Sequence, residues 1–85
     1  MTIADQEKER AINYLLAQTS TKTLHKIYDL RHNEGPDWFS PYTLSLGLWV
    51  RNTLQQGGFI WDNPTFAAEW VALIEEAAIR FVKSC

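Results

Sequence analysis

Apolar residues recur along this chain at helical intervals, and no stretch of useful length shows the two-residue alternation of a strand. Ile12, Leu15 and Leu16 form an i, i+3, i+4 stripe in a segment from about Ala4 to Gln18. Its first turns hold Asp5, Glu7 and Glu9, where a helix dipole favours negative charge. Leu24, Ile27 and Tyr28 mark a second helix from about Thr21 to His32, with Ser20 or Thr21 as its cap. Asn33-Glu34-Gly35-Pro36 ends it, because glycine and proline both oppose continuation. Ser40-Pro41 predicts a third start: serine as N-cap, proline at the first helical position, where a missing N–H costs nothing. That helix should run to about Gln56 and stop at Gly57-Gly58. Asn63-Pro64 repeats the device for a fourth, from about Pro64 to Lys83. Phe66, Trp70, Leu73, Ile74, Ala77 and Phe81 line one of its faces, and Glu69, Glu76, Arg80 and Lys83 the other.

The third segment has two apolar sides. Leu46, Val50 and Leu54 make one, Leu44 and Leu48 the other, and Ser45, Asn52 and Gln56 form a polar stripe beside Trp49. Two apolar sides predict a helix walled on both. The expected architecture is therefore all-α: a compact four-helix single domain over residues 1–85, with a central third helix and residues 1–8 frayed.

Composition narrows the function more than it names it. With 85 residues the chain is near the size where burial only just offsets chain entropy, and 13% aromatic residues let few side chains supply much of the core. No apolar run reaches the length of a membrane span, and Met1 to Arg10 is too polar for a signal peptide, so a cytoplasmic protein is the default. Cys85, the lone cysteine, has no intramolecular partner, and its terminal position argues against a packed or catalytic role. The net charge of −2 is spread along the chain without a basic stripe, which excludes nucleic acid and favours a protein or small-molecule partner.

Gly47, Trp49, Arg51 and Asn52 crowd into two turns of an otherwise apolar segment. A glycine inside a helix costs about 1 kcal/mol relative to alanine, so it marks close approach of a neighbour. Arg51 must then find a carboxylate or carbonyls, and Asn52 is placed to hold the Phe59–Trp61 loop. These four either staple the loops to the core or line a ligand or partner site. The run Thr43 to Asn52, followed by Phe59-Ile60-Trp61, resembles a small bacterial domain family of unknown function. That family carries a motif close to His-Phe-Gly-Leu-Gly-Met-Trp-Ile-Arg-Asn, then an aromatic element. The shared part is Leu-Gly-hydrophobic-Trp-hydrophobic-Arg-Asn, and Thr43 and Ser45 stand where the family has His and Gly. The resemblance implies a fold and a bacterial or phage setting; it lends no activity.

Two further sets hold candidate chemistry. Trp38, Phe39, Phe59, Ile60 and Trp61 sit in loops at opposite ends of the third helix. They either cap the core or form an exposed partner surface. His25, Asp29 and His32 share a helix face at i, i+4 and i+7, the only spacing suited to a metal, with Glu34 or Asp37 nearby. The ordinary reading of that face is a solvated one. No serine or cysteine sits in a nucleophilic setting, and Glu75-Glu76 point apart on a helix, so no catalytic residue is assigned. The sequence thus points to a non-enzymatic protein-interaction module without a cofactor, such as an inhibitor, immunity or antitoxin-like protein. Its partner would be another protein or a second copy, met through Trp38, Phe39, Arg51, Phe59 and Trp61. The alternative is a small-ligand or metal-binding domain using the His25 face or a pocket beside Trp49.

Overall fold

The computed structural model describes residues 3–84; the expectations attached to Cys85, and to Met1 and Thr2, lie outside them. The described residues fold as one all-α domain. Helix α1 spans Asp5–Gln18, α2 Thr21–Glu34, α3 Leu48–Gln56 and α4 Asn63–Ser84. Between α2 and α3 the chain winds as a 3-10 turn, Ser40–Tyr42, and then a π-helical turn, Thr43–Gly47. The third helix predicted as one piece from Pro41 is thus three pieces of different pitch.

The centre of the fold is α4. At 22 residues it would reach about 33 Å at 1.5 Å per residue, matching the 31 Å long axis of the molecule. It packs against α1 and α2 along its length, and against α3 and the π turn near its start. Phe66, Trp70, Leu73, Ile74 and Ala77 are buried as their stripe predicts, and Phe81 partly so. The central position expected for the third helix therefore belongs to α4. The reason is visible on α3: Val50, Thr53 and Leu54 are buried, but its second apolar side stays open. Leu44 is 90% exposed and Leu48 52%.

Helix ends follow local chemistry. Ser20 caps α2, its Oγ accepting from the Thr23 amide at 3.2 Å. Gly35, at φ +82°, closes that helix two residues later than the pattern suggests. The cap of α4 is Asp62, not Asn63: its Oδ1 accepts from the Thr65 amide at 2.9 Å, which shifts Pro64 one place into the helix. Ser40 makes no cap; Phe39 holds that position with no side-chain hydrogen bond. The end of α3 is a Schellman closure. Gly58, at φ +92°, donates to the Gln55 carbonyl at 3.1 Å, and Phe59 donates to the Leu54 carbonyl at 2.9 Å. Leu54 and Phe59 are both buried, supplying the apolar contact that accompanies this motif.

At the start of the chain Ile3 packs into the core just before α1, so the solvated opening turns are anchored by one apolar side chain. Charged side chains on α4 reach back to the same helix. Lys8 pairs with Glu69 at 3.4 Å, and Arg80 bridges Glu9 and Glu76.

A candidate partner groove beside the π turn

A groove of about 350 Å³ runs between the π turn with α3 and the first turns of α4. Phe66, Ala67 and Trp70 come from α4; Thr43, Leu44, Gly47, Leu48 and Arg51 come from the opposite side. Gly47 is what brings those sides together. A Cβ on it would stand 3.1 Å from Cε2 of Trp70, so the backbone there lies directly on the indole. π winding spends one more residue per hydrogen-bonded turn than α winding. Here the π turn ends at the indole contact, with Leu44 turned to solvent and Val50 inside.

Arg51 lies half-buried at the groove, its guanidinium carbon 5.9 Å from the Phe66 ring centroid. The carboxylate or carbonyl partner expected for it is absent among the described residues: the ring face replaces it. Asp62, one residue before the groove-lining Asn63, is committed elsewhere. The Thr65 hydroxyl and then the Thr65 amide hold its carboxyl below the usual range. Asn52 is exposed, and backbone bonds from Gly58 and Phe59 hold the loop it was expected to fix.

The aromatic loops fold inward, which removes them as a contact surface. Trp38 is 2% exposed, and its Nε1 donates to Oε1 of Glu75, which also meets Arg31 at 3.3 Å. Phe59 and Trp61 are buried in a file of rings running from Tyr14 to Phe66, with neighbouring centroids 5.2 to 6.0 Å apart. Phe39 is partly buried, edge-on to Trp70. Only Ile60 of this set stands out, at 73%. The rings pack because the core needs them: α3 is short, and the spaces at its two ends are filled by loops rather than by helix. Glu75, given no role from the sequence, proves to be the acceptor that lets Trp38 be buried. The signal available for it was the Trp38 indole N–H, a donor that a hidden ring pairs where an acceptor is in reach; Nε1 of Trp61, also buried, has no partner among the described residues.

A second concavity, about 380 Å³, lies beside Trp49, with Gln18, Thr19, Ser20, Thr23 and Leu46. Thr19 is buried, and its Oγ1 has no hydrogen-bond partner among the described residues. Ser20 donates to the Thr23 hydroxyl at 2.8 Å, so those two groups satisfy each other.

His25, Asp29 and His32 do not form a ligand set. His25 meets Phe81 edge-on at 5.1 Å, and His32 stacks on Tyr28 with its Nδ1 placed to donate to the Tyr28 carbonyl at 3.2 Å. The described residues hold no group of three or more potential metal ligands. Each imidazole is engaged by a ring instead, His32 by Tyr28 one turn away and His25 by Phe81 on α4. Glu75 and Glu76 diverge as adjacent helical positions must: one turns to Trp38 and Arg31, the other to Arg80.

No described helix is long and apolar enough to cross a membrane. Comparison with protein-family models, with curated proteins and with solved structures returns no match.

Proposed function

We propose that this chain is a non-enzymatic protein-interaction module that docks a partner against the groove between the π turn, α3 and α4. One observation carries this reading: Leu44 and Leu48, 90% and 52% exposed, stand together on one wall of an apolar groove. Burying a leucine side chain contributes roughly 1.5–3 kcal/mol, and a folded chain leaves such side chains paired over a cleft where something else covers them. Small size and mild acidity suit an inhibitor, immunity or antitoxin-like role. The motif resemblance suggests a bacterial or phage cytoplasm as its setting.

The test compares wild type with a Leu44→Asp/Leu48→Asp double variant whose fold is checked by circular dichroism. Captured partners are identified by mass spectrometry, and self-association is read by sedimentation. Loss of a specific partner, or of a dimer, in the folded double variant supports the reading; an unchanged partner list and unchanged mass overturn it. The pocket beside Trp49 favours a second reading, a small-ligand site, through the buried Thr19 hydroxyl that lacks a partner. Ligand-screening NMR on wild type and Trp49→Ala checks it.

A further inference from the structure

We infer that the segment docking in this groove is a helix of a different protein, carrying a carboxylate one turn from an apolar anchor, and that Arg51 receives the carboxylate. The inference rests on the docking reading above and adds the chemistry of the partner. Leu48 and Arg51 are three residues apart on α3, so leucine and guanidinium present one continuous strip along the groove. The guanidinium is held at the Phe66 face, and its remaining donors are free of acceptors among the described residues. Arg31 and Arg80, by contrast, each meet a carboxylate.

Those donors stand in a groove open to solvent. An apolar segment laid over Leu48 would strip that solvent, and a desolvated cation left unpaired costs more than the leucine contact returns. Whatever covers the groove must bring an acceptor, and a carboxylate offers the bidentate match. A helix with an apolar residue and Asp or Glu three or four places on supplies both at the right separation.

A second copy of this chain fits less well. A two-fold contact brings the same face against itself, and the groove is lined by Arg51 without any carboxylate. A phosphate polymer fits less well still, because one cation makes no basic track.

Capped, alanine-based helical peptides carrying Leu and then Glu four residues later, with Gln and Lys counterparts, are titrated into isotope-labelled protein. Amide shifts of Gly47, Leu48 and Arg51 and the Trp70 indole N–H report binding. The Glu peptide should bind with Kd about tenfold below that of the Lys peptide, and Arg51→Glu should invert the order. Equal binding of the three peptides, or an order unchanged by Arg51→Glu, overturns the inference. So does tighter binding of free 4-phenylbutyrate than of the Glu peptide, or a dimer that Arg51→Glu dissociates. The docking reading fails on a different result, unchanged capture by the Leu44→Asp/Leu48→Asp variant, so the two failures are distinguishable.

Discussion

Two segments of this chain open alike in sequence, a small polar residue followed by proline, and fold differently. Asn63-Pro64 leads into 22 uninterrupted α-helical residues, whereas Ser40-Pro41 leads into a 3-10 turn, a π turn and only then nine residues of α-helix. Two physical differences separate them. Asp62 reaches over α4 and takes the Thr65 amide, while nothing caps the turn at Ser40. The face of α4 is apolar at regular spacing along its length; that of the earlier segment must accommodate the Trp70 indole at Gly47. A start signal gives the place where a helix begins. The pitch it keeps is decided by what lies across it.

The largest effect is expected at Trp70, which belongs to α4 and lies against the end of the π turn. Trp70→Ala should cost about 3–5 kcal/mol in urea unfolding, because a buried indole is lost and the Gly47 backbone loses its wall. Gly47→Ala comes next. In an ordinary helix interior this change is stabilising by roughly 1 kcal/mol. Here the new methyl meets an indole already backed by Phe39, and a net loss of about 1–2 kcal/mol is expected. A gain in stability would mean the π turn is not held by that contact.

Smaller effects sharpen the difference between the two starts. Asp62→Ala should cost about 1 kcal/mol, the usual worth of an N-cap, while Ser40→Ala should stay within about 0.5 kcal/mol. Equal losses at the two sites would erase the distinction drawn between them.

The smallest effect is pH dependence. Asp62 is lowered by the Thr65 hydrogen bonds and Glu9 by its hydrogen bond from Arg80. A carboxyl with a folded-state pKa below its unfolded value contributes stability above the unfolded value. That contribution fades as pH falls through the folded one. The loss therefore begins below the ordinary values of 3.8 and 4.5, and midpoints measured from pH 6 downward should fall less steeply in Asp62→Asn and Glu9→Gln than in wild type.

The helices and the single domain were legible because each rests on short-range signals: the Ile12, Leu15 stripe, the Ser20 cap, the Phe66-to-Phe81 face. The cap of α4 was misplaced by one residue because Asp62 and Asn63 are both good caps, and only backbone geometry chooses between them. The open side of α3 was not legible. Leu44 and Leu48 look buried to any reading of periodicity, since the break in pitch falls at Gly47 against the Trp70 indole, which is distant in sequence. The aromatic loops pointed to either burial or a surface; Trp38 is buried with Glu75 accepting from its indole N–H, and Trp61 is buried with no acceptor among the described residues. The carboxylate or carbonyl partner that the sequence implies for Arg51 is not there among the described residues; the Phe66 face lies beside it instead, and no short-range signal near Arg51 announces that ring.

One arrangement in the fold bears on how strain spreads through the molecule. The backbones of α1 and α2 each run close to α4 and not to one another. Defects on α1 and α2, at Leu15 and Leu24, should therefore couple less to one another than either does to a defect on α4, and double-mutant cycles with Ile74 measure the difference. Mechanically, the long α4 rod is a spine to which both flanks are fixed, and it is a main route by which disturbance passes from one to the other.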